Sequence, residues 1–336
     1  MSRTSLRRVA IRRAAVLLAL ASTRGRPLAG QNSEAGASFL LAPVGARLVG
    51  IGGAGVADPT GGLAFLSNPA AFARLARRDV AFDFGQDEAT TRYVVVAALP
   101  SRVLGTFAID AYLSSAGTQD FTDINGALIG TSNFRDVAYA ASYAARFGSR
   151  LNAGLTYKYV QKRNDCSGIC TRPGELDPLA GVRASTSAVD VGFQYDVGKT
   201  SAVHLGAAVR NLGLRLQVRD RAQADPLPTQ AVVGGAYDLP HVDRYVPDAS
   251  LRVLAEATTG VGVRLDPTYH VGAEAGYRGA FALRAGYDKR PGEYSGPSFG
   301  FGLSSKQLAL DVARHIASSG LLADKPPTYV GLRYSF

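Results

Sequence analysis

Tyr329-Val330-Gly331-Leu332-Arg333-Tyr334-Ser335-Phe336 is the stretch that decides the fold. Val330, Leu332, Tyr334 and Phe336 fall on one side of an extended chain and Gly331, Arg333 and Ser335 on the other, because successive side chains of a strand point to opposite faces. A helix would mix the two sets. The same two-faced period recurs in segments near 79–87, 91–99, 103–113, 134–147, 150–163, 185–197, 201–212, 229–239, 248–259, 267–277, 280–288, 298–304, 306–314 and 328–336. The expected fold is all-β, an antiparallel barrel of about 14 strands.

The connections sort by parity. Tight links at Pro100-Ser101, Gly148-Ser149, Gly198-Lys199-Thr200, Arg278-Gly279 and Ser305 alternate with long polar stretches at 114–133, 164–184, 213–228, 289–297 and 315–327. Only the segment from His241 to Pro247 departs from the short class. Short periplasmic turns, long external loops and an even strand number characterise bacterial outer-membrane barrels. In 185–197 the apolar set Val189, Val191, Phe193 and Tyr195 alternates with Asp190, Gly192, Gln194 and Asp196; in 280–288 Phe281, Leu283, Ala285 and Tyr287 alternate with Arg284, Gly286 and Asp288. A soluble sandwich alternates too, but the aromatics Tyr157, Tyr159, Tyr277, Tyr287 and Phe336 stand near strand ends, as interfacial girdles do. The closing strand, with Tyr334 and Phe336, resembles the C-terminal signal read by the outer-membrane assembly machinery. A barrel leaves no edge, so this strand is expected to pair with 79–87.

The N-terminus agrees with export. Arg3, Arg7, Arg8, Arg12 and Arg13 precede the apolar run Ala14–Ala21 and a small-residue region, the anatomy of a signal peptide over residues 1–30; cleavage after Ala21 and near Ala29-Gly30 both fit. Those residues hold seven arginines and no acids, so the formal +10 falls to 10 − 7 = +3 in the exported chain, which removes the support for a nucleic-acid partner. With 38 glycines, 14 Phe, 15 Tyr and 19% charged residues, the composition suits a barrel in outer-membrane lipid better than a soluble enzyme. Cys166 and Cys170 share a polar loop and are expected to form a small-loop disulfide in an exported chain. His204, His241, His270 and His315 are scattered and lack metal-ligand spacing.

A barrel this wide encloses more space than its own side chains fill. The inward set Asp83, Asp110, Lys158, Asp190, His204, Arg210, Arg252, Glu256, Glu274, Arg284, Asp311 and Arg333 has mixed sign and can pair across a lumen. The expected filler is the Gly-rich segment 31–78 that precedes the barrel at 79–336, centred on Gly45, Ala46, Arg47, Gly50, Gly52, Gly53, Asn68, Pro69 and Ala70. There Asn68-Pro69 supplies an N-cap and a first residue for a short helix over 70–76. Gly50-x-Gly52-x-x-Gly55 matches the dinucleotide fingerprint, but no strand–helix–strand unit surrounds it, and no cofactor is expected.

With these pieces in order, the chain resembles the PorV/PorQ family of outer-membrane proteins, which share the barrel plan of FadL fatty-acid transporters. The resemblance rests on Gly45-Ala46-Arg47 with Gly52-Gly53-Ala54; Asn68-Pro69-Ala70; Gly206 to Gly213 (GAAVRNLG) with Leu227-Pro228-Thr229; Leu283 to Tyr287 (LRAGY); Ser298 to Gly302 (SFGFG); and Arg333 to Phe336 (RYSF). It implies a role in protein secretion or surface attachment, with external loops 114–133 and 164–184 meeting secreted proteins or a secretion complex. The other implied role is FadL-like passage of a small hydrophobic solute, with the lumen segment as gate. No nucleophile motif surrounds the histidines, so catalysis is not expected.

Overall fold

The computed structural model describes residues 35–60, 62–87, 90–168, 183–198, 201–217, 224–290, 295–316 and 326–336. The expected signal peptide, residues 31–34 of the lumen segment and Cys170 lie outside the described residues.

The strands are β1 (Asp79–Gln86), β2 (Thr91–Ser101), β3 (Gly105–Thr122), β4 (Leu128–Phe147), β5 (Leu151–Gly168), β6 (Arg183–Val197) and β7 (Val203–Gly213). They continue as β8 (Gln230–Asp238), β9 (Ala249–Gly260), β10 (Thr268–Tyr277), β11 (Phe281–Lys289), β12 (Gly296–Ser304), β13 (Leu308–His315) and β14 (Thr328–Ser335). Each pairs antiparallel with its sequence neighbours, and β14 returns to β1, closing a 14-stranded barrel. The closing register runs from Asp79↔Ser335 to Gln86↔Thr328. Arg78 and Phe336 extend it with reciprocal backbone hydrogen bonds of 3.1 and 2.9 Å. Tyr334 and Phe336 stack outside this seam with ring centroids 5.5 Å apart.

The usual relation of burial to polarity is inverted. Phe107, Ile109, Leu155, Leu283 and Leu332 are exposed on the outer face, whereas Asp190, Gln194, Glu256 and Arg284 are buried within. A soluble protein could not present such a surface to water; a hydrocarbon layer is the solvent that suits it. No helix among the described residues is long and apolar enough to cross a membrane; the surface that suits hydrocarbon is the outward face of the strands.

The three longest strands, β3, β4 and β5, exceed their sequence-based bounds. Much of 114–133, expected as loop, is ladder: Ser114↔Asp136, Thr118↔Asn133 and Asp120↔Thr131 continue the β3–β4 hairpin. At its tip the Asp123 carboxylate accepts from the Asn125 and Ala127 amides, both at 2.8 Å. Likewise β4 and β5 pair out to Gly130↔Gly168, with Cys166 opposite Ser132. Beyond the membrane the outward residues turn polar, so hydrophobic alternation fades while the backbone pairing that defines the strand continues.

Ala285 lies outward and exposed in mid-β11. Ala285→Arg is expected to lower barrel stability by about 2–4 kcal/mol, the midplane cost of a lipid-facing arginine, measured by urea unfolding in liposomes; an unchanged midpoint would place this face away from lipid.

Candidate functional site

Residues 35–76 run inside the barrel as short turns. A 3-10 turn at Ser38–Leu41 leads to α1 (Ala46–Gly50), and further 3-10 turns follow at Gly62–Leu66 and Pro69–Arg74. The helix expected over 70–76 is therefore a tighter 3-10 turn that begins one residue earlier. Asn68 caps it, its Oδ1 accepting the Ala70 amide at 3.0 Å. The same side chain donates from Nδ2 to the carbonyls of Val56 at 2.8 Å and Phe193 at 2.9 Å, tying two turns of the segment to β6.

Glycines set how closely this segment approaches the wall. Gly52 (φ +67°) sits so near β10 and β11 that a Cβ there would meet the Val271 carbonyl at 2.6 Å and the Tyr287 amide at 2.7 Å. The wall answers with its own glycines: Gly272 and Gly286 face Ile51 and Gly52, and Gly300 faces Gly50. A Cβ at Gly154 of β5 would lie 2.5 Å from the Ala70 amide, beside Pro69. Backbone therefore packs on backbone, and the polar groups of both surfaces need partners. Glu256 accepts the Gly55 and Val56 amides at 2.9 and 2.8 Å, Asp83 accepts the Ala46 amide at 2.7 Å, and His270 donates from Nδ1 to the Gly52 carbonyl at 2.7 Å. Gly45 (φ +90°) and Gly53 (φ +85°) flank the region in backbone conformations that L residues rarely adopt.

Below this contact, toward the tight turns, a chain of charges crosses the lumen. Arg74 pairs with Asp196 (2.6 Å), and His204 stands between Asp196 (2.6 Å) and Asp238 (3.2 Å). Arg252 joins Asp238 (2.5 Å) to Asp58 (3.5 Å), and Arg47 joins Asp58 to Glu274 (3.0 Å). Arg284 then bridges Glu274 (2.5 Å) and Asp311 (2.6 Å). Three members, Arg47, Asp58 and Arg74, come from the lumen segment; the others come from β6 to β11 and β13. The chain thus straps the segment to the wall on several sides.

Above the contact, toward the long hairpins, lies a cavity of about 400 Å³. Leu40, Leu41, Val44, Leu48 and Leu66 of the lumen segment give it an apolar side. Charged groups ring the rest, among them Asp110, Lys158, Arg210, Glu256 and Arg290. Asp190 lies behind, paired with Lys158 at 2.7 Å and accepting the Asn211 amide at 2.8 Å. Arg210 donates to Gln230 at 2.9 Å. Arg333 stands apart from both groups, between Ala81 and Ala309 in register.

The structure therefore brings Arg252, Glu274, Arg284 and Asp311 into the strap and places Arg210 and Glu256 at the cavity. The remaining strap residues (Arg47 as a bridge, Asp58, Arg74, Asp196 and Asp238) are not singled out as partners by any sequence motif. Asp58 in particular belongs to no motif of the segment.

No protein-family model matches the chain, and no curated protein sequence matches it. Solved structures do match its fold. The toluene transporter TodX of P. putida is 12% identical, with a TM-score of 0.61 over 87% of this chain and 98% of that one. The toluene transporter TbuX of Ralstonia pickettii is 14% identical, with a TM-score of 0.56 over 87% and 97%. The CymD monoaromatic hydrocarbon channel is 14% identical, with a TM-score of 0.57 over 87% and 97%. The chain has the fold of these barrels, and its closed 14-stranded wall with an apolar exterior places it in the bacterial outer membrane. The expectation of a role in protein secretion or surface attachment is corrected by these matches: the similar barrels are hydrocarbon transporters and channels. Sequence motifs shared across this barrel plan report how plug and wall pack, and say little about what the loops bind.

Arg47→Ala removes one partner from both Asp58 and Glu274. Losing one member of a buried pair costs about 3–5 kcal/mol, so the lumen segment is expected to loosen while the barrel stays folded. Planar-bilayer conductance and vancomycin sensitivity should both rise with heat-modifiability unchanged; unchanged conductance would show that the strap does not hold the segment.

Proposed function

We propose that the chain carries small hydrophobic molecules across the outer membrane, with segment 31–78 as the gate. The observation that carries this reading is the cavity of about 400 Å³ whose apolar side is built by leucines of the lumen segment itself. Its size is within the roughly 300–1,000 Å³ of small-molecule pockets. A solute seated there touches Leu48 and Leu66 directly, so the gate is also part of the binding surface. The charge strap blocks the way beyond, and transit requires the segment to shift. Coupling the two is physically economical, because differential contact with the bound solute is what can shift such an equilibrium.

The fold likeness to transporters of toluene supports this solute class. Those neighbours are channels rather than enzymes, and in this lumen His204, His270 and His315 are each engaged by an Asp carboxylate or a backbone carbonyl. The PorV/PorQ-like motifs support kinship in plug and wall construction. The exposure of Tyr334 and Phe336 at the closing seam supports their reading as the signal for the barrel assembly machinery.

The test is accumulation of labelled toluene by a Gram-negative host lacking its own hydrocarbon channels. Cells expressing the chain should exceed empty-vector cells several-fold, and the double variant Leu48→Asp, Leu66→Asp should fall to background while remaining heat-modifiable. Equal uptake with and without the chain would overturn the proposal.

A further inference from the structure

On the outside of the barrel three arginines stand side by side. Arg135 of β4 is directly opposite Arg163 of β5, and Arg163 is directly opposite Arg183 of β6. All three are exposed on the outer face. Directly opposed residues on antiparallel strands lie about 4.5–5.5 Å apart at Cβ, and like charges there are destabilising. Among the described residues, local partners offset the charge only in part. Asp165 pairs with Arg163 through Nε at 2.9 Å, and Arg135 donates from Nε to Asn133 at 3.0 Å. The row therefore keeps an excess of positive charge.

Its height on the barrel gives it meaning. Tyr139 is opposite Tyr159, four residues along each strand toward the lipid band. At about 3.3 Å per residue the arginines stand roughly 13 Å along the strands beyond that aromatic pair, or about 10 Å in height at the usual strand tilt of about 35–45°. Aromatic girdles mark the membrane interface, so the row stands above it, on the side of the outer-leaflet headgroups and their phosphates.

A groove of about 500 Å³ leads down from it across the outer wall of β2–β5. Its lower part is formed by Tyr93, Leu113, Val137 and Tyr139, and its upper part carries Arg135 and Arg163. A bulge shapes the top: between Ser115↔Arg135 and Thr118↔Asn133, β3 has two residues where β4 has one. One of the two, Gly117, has φ +69° and open space at its Cβ position. The bulge bends β3 beside Arg135 and widens the groove there. An apolar floor that starts at the interface and clustered guanidinium groups above it match one amphiphile: an acyl chain below, a phosphate above.

We propose that this wall binds a phosphorylated lipid of the outer leaflet, its phosphate held by Arg135, Arg163 and Arg183 and one acyl chain lying over Leu113 and Val137. Guanidinium suits the task, because its planar fork binds phosphate in a bidentate manner. The site lies across the wall from the solute cavity and does not depend on the transport reading.

The experiment is native mass spectrometry of the full barrel in detergent, titrated with bisphosphorylated lipid A, dephosphorylated lipid A or inorganic phosphate. Bisphosphorylated lipid A should bind at least 10-fold more tightly than the dephosphorylated form, and the R135Q/R163Q/R183Q variant should lose that preference. Inorganic phosphate alone should leave no retained adduct. Heat-modifiability checks folding, and if the triple variant does not fold, R135Q and R183Q singly should each weaken binding. Equal binding of the two lipids, or of wild type and folded variants, would overturn the proposal; retention of inorganic phosphate as strongly as lipid would overturn the lipid assignment.

Discussion

Every backbone N–H and C=O that enters hydrocarbon must be hydrogen-bonded within the protein, and the remaining architecture follows from the closure of β14 on β1 that meets this demand. A ring of 14 strands has no edge. It also encloses a lumen wider than its own inward side chains can fill. The chain meets the second problem with residues 35–76, brought against the wall by glycines on both sides of the contact. Close approach then creates new demands, met by Asn68, Glu256, Asp83 and His270 on backbone groups of the segment.

The lumen is consequently layered. Toward the tight turns, the charges from Arg74 to Asp311 form a continuous strap. Toward the long hairpins, leucines of the same segment line a cavity. A segment bound by ion pairs on one side and offering apolar surface on the other is suited to gate passage. Charged pairs in a partly wet lumen contribute modestly when intact and are costly to break one partner at a time, so the strap can be firm without being irreversible. In the proposed function this division of labour, more than the barrel itself, is what serves the passage of a solute.

Much of this was legible in the residues, and what was not has a physical reason. The alternation in β6 and β11 places each face correctly, since a period of two has only two solutions. The β14–β1 seam follows from the need to remove an edge. The hairpins above the membrane run longer than the pattern predicts, because their outward positions carry Ser, Thr, Gln and Arg in place of the apolar residues that mark the alternation. Asn68 is readable as a cap, but its bonds to Val56 and Phe193 depend on a fold-back that local sequence does not encode. Gly272 and Gly286 look like weak strand positions until Ile51 and Gly52 are seen against them. Asp58 and Arg47 are 11 residues apart in the chain and meet only because the segment turns inside the barrel. Function was least legible: motifs describing plug packing are shared by barrels with different tasks, and they pointed to secretion where the fold neighbours are hydrocarbon channels.

The central claim is that solute passes through the lumen by displacing this segment, and a reversible lock tests it directly. Arg74 of the segment lies 2.6 Å from Asp196 of β6, so the pair Arg74→Cys, Asp196→Cys can be bridged through a short bis-methanethiosulfonate linker that a reductant cleaves. Toluene uptake by cells carrying this variant, measured cross-linked and then reduced beside the parent chain, should stop when the bridge is closed and recover when it is opened. Full uptake through a barrel whose bridge is shown to be closed would contradict the account.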